Sequence, residues 1–559
     1  MLRRLSLPRE GRLHLAALVV GLLVAGGILV GFARRLYFFG DDWDFLLNRG
    51  TVDGADLGLF TPHNEHWSTL PILLFRGLFA LFGLDHYLPY ALPVILAHLA
   101  LCALVYLVLV RLGSRPGPAL VAALTLAFFG GGAENTLWDF QIGLLAPMTL
   151  GFAAVWVWSR WPASPRGVVI AGVLLVLALM CSGVGIAAVV LVASFAALTT
   201  GLRSAVAVAA APTLVFLVWY ATVGRTAPTI PVTDRSVYLA VPDYVWTGLT
   251  AALEQAAGIQ GSGPVLLLVL LAVPFVVRGT SPGVRALAVA GIATAFVQFL
   301  LQAWSRVGLG VEQATAPRYA YLTLALFMPT FAMACGWLGR RVQAPRWVAA
   351  LLVAVVGLGY VVNGVQHQHD FVESRQNLSP DLERLLRGVQ AVTAGDEPVL
   401  SESPFPTYHP NISVSLLDSP QARAALPQGP VRPRTELDGL ALVQVGVGPQ
   451  SFGLPEATDL RIGPSLAPTG DSDGSCSEYV AGSSGAVIQL ASPAEGAEFT
   501  VTGGAGFVTT VLERDGLRSL PSVRRVTPGE RLHVAVRAPG ANLRVSFDKD
   551  GAYEICSAD

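Results

Sequence analysis

About eleven apolar stretches, set apart by short loops whose charge is almost all arginine or acid, constrain this chain more than any other feature. They run near Leu13–Phe32, Tyr87–Val110, Pro118–Phe129, Gly143–Trp158, Gly167–Cys181, Val184–Leu198, Ala205–Val223, Pro264–Val277, Val284–Ala303, Tyr319–Leu338 and Trp347–Asn363. A helix crossing a bilayer needs about 20 mostly apolar residues, and no soluble core of this size takes up so many such segments. Of the 559 residues, 53% are hydrophobic and only 13% are charged, against about 25% charged in soluble domains. The expected fold is an α-helical polytopic membrane domain of about eleven spans, with a hydrophilic C-terminal domain after it. Lys549 is the single lysine, which excludes a lysine Schiff base in the membrane core.

Arginine placement gives an orientation, because positive charge collects on the cytoplasmic side. With the N-terminus inside, that side receives Arg3, Arg4, Arg9 and Arg12. It also receives Arg111, Arg115, Arg160, Arg166, Arg203, Arg278, Arg285, Arg340, Arg341 and Arg346. The opposite loops collect Asp41, Asp42, Asp44, Asp53, Asp56, Glu65, Asp85, Glu134, Asp139, Asp234, Asp243, Glu254 and Glu312, with Arg34 and Arg35 the exception on that side. The first apolar stretch resembles a signal-peptide core but is too long and lacks an Ala-x-Ala site, so an uncleaved anchor is expected. The implied location is the plasma membrane, with the N-terminus cytoplasmic and the C-terminal domain extracytoplasmic.

The domain reading is 1–365 for the membrane part, with an outer loop at 34–89, then 366–475 as an α/β connecting region and 476–559 as a small β-sandwich-like unit. A helix is expected at Pro380–Val392 and a strand-like piece at Leu440–Val447. Alternating segments at Ala486–Leu490, Glu498–Thr502, Phe507–Leu512, Arg531–Val536 and Asn542–Phe547, divided by turn residues, carry the sandwich reading. Cys476 opens this unit and Cys556 closes it. In an oxidising compartment the two are expected to form a disulfide.

The residues able to do chemistry gather in the outward loops. Gly40-Asp41-Asp42-Trp43-Asp44 follows the first span at once. Adjacent carboxylates near a membrane can act as a general base and a partner that binds metal or positions substrate. Next comes Pro62-His63-Asn64-Glu65-His66-Trp67 and an amphipathic segment, Leu70–Phe82. If helical, this stretch places His63 and His66 on one face. With Glu65 they can ligate a metal, contact a polar substrate or hold structure by hydrogen bonds. Gly130-Gly131-Gly132 followed by Glu134, Asn135 and Trp138 suits a sugar site or a wet loop. Arg306, Glu312, Arg318 and Tyr319 form a third cluster. There Arg318 can grip phosphate through its planar fork, or Arg318 and Tyr319 can be interfacial anchors. An amphipathic helix is expected near Asp243–Ala257.

Asp41-Asp42 after a first span, a surface helix within Pro62–Leu84, Leu81-Phe82-Gly83-Leu84, and a span over Tyr87–Leu112 together resemble the GT-C glycosyltransferases. That superfamily includes protein O-mannosyltransferases and aminoarabinose and arabinosyl transferases. The family's more usual His-Pro-Pro-Leu stretch is here His63-Asn64-Glu65-His66-Trp67. The resemblance implies inverting transfer of a sugar from a polyprenyl-phosphate donor to an extracytoplasmic glycan, lipid or protein. It implies Asp42 as general base and Asp41 as supporting acid or ligand of a divalent metal ion, with Asp44 third. His63, Glu65, His66, Trp67, Glu134, Asn135, Arg318 and Tyr319 are the expected substrate contacts. No other cofactor is expected, and membrane lipids, not nucleic acid, are the expected surroundings. A transporter or flippase of lipid-linked glycans is the competing reading, but it requires ionisable residues within the spans; the spans are nearly free of them, with His98 and Gln298 among the polar exceptions. A non-catalytic envelope-assembly protein leaves the acidic loop and the histidines without a role.

Overall fold

The computed structural model describes residues 9–49, 58–227, 235–342, 345–378, 382–393, 398–405, 409, 412–426, 430–469, 476–481, 486–503, 506–548 and 551–557. Arg3, Arg4, Asp53, Asp56, Asp234 and Lys549 lie outside them. Two compact units are present. One comprises Met1–Leu36, Asp56–Leu78 and His86–Asn377, and the other Tyr37–Ala55, Phe79–Asp85 and Leu378–Asp559.

The first unit is helical. Among the described residues, seven helices are long and apolar enough to cross a membrane: Gly11–Ala33, Leu88–Arg111, Asp139–Arg160, Leu202–Thr222, Pro282–Leu309, Pro317–Arg341 and Leu351–Gln376. The chain is a multi-pass membrane protein. Four apolar helices among the described residues are shorter, and three of them, Pro165–Leu179, Val184–Thr200 and Gly263–Val276, fall on expected spans. At 1.5 Å per residue the first of these reaches only about 22 Å, less than the ~30 Å hydrocarbon core. Pro116–Ala127 and Gly130–Leu137 pass as one span only as a pair bent by 50°. The eleven stretches of the sequence are therefore seven full-length helices, one broken one and three short ones.

Serine and proline set the helix starts. Ser164 and Ser281 are N-caps whose hydroxyls accept the Gly167 and Val284 amides, each with proline in the first turn. This pairing satisfies an orphan amide and pre-sets φ. The break after Ala127 leaves C-terminal carbonyls without helical partners. His98 Nε2 lies 3.2 Å from the Ala127 carbonyl while its Nδ1 lies 2.6 Å from the Tyr321 hydroxyl, and Tyr360 donates to the Thr125 carbonyl. In a membrane interior such re-satisfaction is what makes a broken helix tolerable.

The Gly130–Gly132 segment packs closely against its neighbours. A Cβ on Gly130 would lie 2.7 Å from the Gly364 Cα, and one on Gly132 would lie 2.4 Å from the Tyr321 ring. Small residues let helices approach this closely in membranes.

The second unit holds two six-stranded antiparallel sheets. One runs, in spatial order, Val445–Gly448, Arg531–Val536, Ala497–Thr502, Gly551–Ser557, Cys476–Ala481 and Leu466–Pro468. The other runs Leu460–Ile462, Ala486–Ala491, Asn542–Phe547, Gly506–Arg514 and Leu517–Arg518, with Ser522–Val526 also pairing Gly506–Arg514. Inward positions alternate along the strands, so Ile488, Phe499, Val534, Leu543 and Val545 are buried together. Val445–Gly448, from before Cys476, pairs with Arg531–Val536 and so joins the same sheet. Leu440–Val443 ends the helix Pro433–Val443, and only the residues after it are strand. Cys476 and Cys556 face one another in register and form the disulfide. The helix expected at Pro380–Val392 is Leu382–Thr393.

Candidate functional site

The acidic loop is a built turn, not a solvated cap. Gly40 takes φ +58°, a left-handed conformation that costs glycine little. The turn then closes on itself. The Phe39 amide donates to Asp42 Oδ2 at 2.9 Å, and the Asp42 and Asp44 amides donate back to the Phe39 and Asp41 carbonyls. This is the reciprocal logic of a capping box, in which a side chain three residues on satisfies the cap amide. Asp44–Asn48 continues as a single π-turn, an element found often at functional sites. Trp43, Phe45, Leu46 and Leu47 are buried. Trp43 meets Phe38 and His409 edge to face. His409 carries no sequence signal that ties it to this loop.

This packing divides the acids. Asp42, the expected base, is 0% exposed and holds the turn through Oδ2. Asp41 and Asp44 are half-buried. Tyr37 and Gly83 fix the same region, with the Tyr37 hydroxyl donating to the Leu84 carbonyl and the Leu84 amide donating to the Ala425 carbonyl.

In the helical unit, His63–His66 is not the helix turn that the spacing allowed. The two residues exchange both backbone hydrogen bonds at 2.9 Å as an antiparallel bridge, with Asn64 at φ +49°. Asn tolerates that conformation. Directly paired residues of such a bridge lie on one face of the ribbon, so the histidines share a side for a different reason. His63 is buried and meets the Phe140 ring. Trp67, an expected sugar contact, is buried. It stacks on Trp219 at 5.2 Å and donates to Thr69.

Glu65 Oε1 lies 3.1 Å from Arg306 Nη2 and 3.9 Å from His66 Nε2. Burial works to raise the Glu65 pKa, but His66 and Arg306 outweigh it and hold the carboxyl below its ordinary 4.5. Burial lowers the His66 imidazole below its ordinary 6.5, with Glu65 opposing and Arg306 assisting. At neutral pH the group is an ionised Glu65, a cationic Arg306 and a neutral His66. A Cβ on Gly183 would lie 3.1 Å from His66 Nδ1, and that nitrogen has no hydrogen-bond partner among the described residues.

A second charged pair joins Glu134 and Arg318 at 2.9 Å. The Asn135 amide donates to the Arg318 carbonyl at 3.2 Å, and the Arg318 guanidinium stacks 5.2 Å from the Tyr319 ring. Glu134, Asn135 and Tyr319 are buried, as are the neighbouring Trp138, Asp139 and Gln141. Tyr244 is fully buried, and its hydroxyl has no hydrogen-bond partner among the described residues. Burial pushes its pKa up to about 12, with Tyr319 adding and Arg306 and Arg318 opposing. Two arginines, two phenols and an amide therefore share one region of the helical unit.

Among the described residues, the group of three potential metal ligands that converges is Cys476, Glu554 and Cys556. Its thiols are tied in the disulfide. The acidic turn by itself offers no such set.

No protein-family model matches the sequence, and no curated protein matches it either. Among solved structures the chain is similar to the archaeal oligosaccharyltransferase AglB of Archaeoglobus fulgidus in complex with an inhibitory peptide and a dolichol-phosphate. The TM-score is 0.39 at 13% identity, over 74% of this chain and 60% of that one. It is also similar to the arabinofuranosyltransferase AftD from Mycobacteria, with TM-score 0.39 and 12% identity, over 97% of this chain and 58% of that one. The chain thus spans less than two thirds of the length of either protein.

Proposed function

We propose that this protein is an inverting membrane glycosyltransferase that takes a sugar from a polyprenyl-phosphate donor and transfers it to an extracytoplasmic glycan, lipid or protein. The observation that carries the reading is the acidic turn. It follows the first apolar helix, is fixed in shape by Gly40 and the Phe39–Asp42 bond, and keeps Asp41 half-exposed beside a fully buried Asp42. A general base must reach the proton that it removes. Asp42 is placed to hold the turn, so the base role given to it by the sequence passes to Asp41, and Asp42 becomes its positioning group.

In this mechanism the acceptor hydroxyl oxygen attacks the anomeric carbon from the face opposite the phosphate. The bond from that carbon to the phosphate oxygen breaks as the new glycosidic bond forms, and the hydroxyl proton passes to the Asp41 carboxylate. Polyprenyl phosphate leaves with the electron pair. Guanidinium groups bind phosphate oxygens through paired hydrogen bonds, so within the helical unit Arg306 and Arg318 are candidate phosphate contacts, with Tyr244 and Tyr319 as hydroxyl donors. Magnesium-type sites use one or two carboxylates and complete their shell with water and substrate phosphate. Were Asp41 to hold a divalent ion, that ion would supply positive charge to offset the charge of the leaving phosphate.

The test is a reconstituted proteoliposome supplied with polyprenyl-phosphate-linked hexose or pentose and an oligosaccharide acceptor. Transfer with inversion of the anomeric configuration supports the reading. Retention of configuration, or no transfer from any lipid-phosphate donor, overturns it.

A further inference from the structure

The helix Val241–Ala257 has two different sides. One side is buried and carries Tyr244 and Gly248, the latter so close to Phe299 that an added Cβ would lie 2.2 Å from its ring. The other side opens onto a groove of about 430 Å³ lined by Trp246, Thr247, Thr250, Glu254, Gln255 and Thr315. Thr247, Thr250 and Glu254 recur at helical spacing, so their side chains fall on one face. Trp246 beside them is 47% exposed.

The chemistry of the lining selects a ligand class. An exposed indole offers a flat apolar face, while the carboxylate, the hydroxyl and the amide around it are hydrogen-bonding groups. Gln255 is held in place by donating its Nε2 to the Thr315 carbonyl at 2.9 Å, which leaves its Oε1 as an acceptor. Among the described residues no arginine lines the groove, and Glu254 is a carboxylate in it, so a phosphate or other anion is disfavoured. A pyranose or furanose ring has the complementary form, with an apolar C–H face for the indole and hydroxyls for Thr247, Glu254 and Gln255.

We propose that this groove binds a neutral sugar residue of the acceptor glycan, with Trp246 as the stacking platform and Glu254 and Gln255 as the groups that read its hydroxyls. The choice of a glycan as ligand rests on the glycosyltransferase reading. The groove itself does not depend on the acidic turn.

The test is binding of mannotetraose, galactotetraose and arabinotetraose to the purified full chain in nanodiscs, by saturation-transfer NMR and calorimetry. At least one tetrasaccharide is expected to bind. Trp246→Ala is expected to weaken that binding about tenfold or more, Glu254→Gln to weaken it several-fold, and Trp246→Phe, which keeps a ring face, to retain most of it. If no tetrasaccharide binds, or Trp246→Ala binds as the parent does, the proposal is wrong and Trp246 is an interfacial anchor. Trp246-dependent binding by a protein that transfers no sugar in the proteoliposome assay would leave the groove standing and overturn the transferase reading alone.

Discussion

The Phe39 amide donates to Asp42 Oδ2 at 2.9 Å, and the Asp42 amide donates back to the Phe39 carbonyl. This reciprocal closure sets Asp42 apart from the neighbour it resembles in sequence. One carboxylate shapes the turn, and the other is held beside it half-exposed. Under the proposed mechanism, shape belongs to Asp42 and reactivity to Asp41. Asp42→Ala is expected to lower stability by about 1–3 kcal/mol, because the buried Phe39 amide loses its acceptor. Asp42→Asn keeps an oxygen at that position and should cost less. Denaturant titration of the purified chain checks both.

The turn also depends on Gly40. At φ +58° an alanine would be strained, and Gly40→Ala should cost about 1 kcal/mol or more. If the turn presents the reactive carboxylate, this substitution should also lower transfer with little change in expression. Circular dichroism and transfer rate, measured on one preparation, separate the two effects.

Arg318 and Glu134 are a charge pair in which Glu134 is nearly buried. Arg318→Ala leaves that carboxylate without its partner and should cost about 2–3 kcal/mol. Glu134→Gln retains a hydrogen-bond acceptor and should cost about 1 kcal/mol. If Arg318 also contacts the donor phosphate, Arg318→Ala should raise the KM for donor well beyond what Glu134→Gln does. Steady-state kinetics with both variants is the check.

The hairpin at His66 predicts sensitivity to acid. Burial first, then Arg306, places the folded-state pKa of His66 below 6.5 despite Glu65, and Glu65 itself lies below 4.5. Both groups take up protons more readily when unfolded. Stability should therefore be fully present at pH 7, fall below about pH 6.5 as unfolded His66 protonates, and fall further below about 4.5 through Glu65. The midpoint of unfolding in denaturant should shift accordingly, and His66→Asn should flatten the upper part of the dependence.

Cys476 and Cys556 close a loop with a sequence separation of 80. Opening it by reduction should destabilise the β-rich unit by about 2–4 kcal/mol. Limited proteolysis of the full chain, with and without reductant, should show new cleavage between Val445 and Cys556.

What could be read from the sequence was what is local. Arg531–Val536 and Asn542–Phe547 match the expected strands to the residue, because period-two alternation is carried by the segment itself. The amphipathic helices at Thr69–Phe82 and Val241–Ala257 were legible for the same reason. The strand Val445–Gly448 was not legible as part of the sheet, because it is defined by its partner Arg531–Val536, far along the chain. Trp67 has the residue type of a sugar platform, but its face is taken by Trp219, far along the chain. The Glu65–Arg306 pair joins residues 241 positions apart, so no window of sequence contains it. Asp41 and Asp42 are adjacent and chemically alike, and the Phe39–Asp42 hydrogen bond and the burial of Asp42 tell them apart.

The most direct test of the account is single-turnover sugar transfer from a polyprenyl-phosphate donor by the reconstituted parent and its Asp41→Asn variant, with folding of each confirmed by its unfolding midpoint. The account predicts a variant that folds like the parent and transfers at least about 10²-fold more slowly, as expected for loss of a general base. An Asp41→Asn protein that folds and transfers at the parent's rate would contradict it.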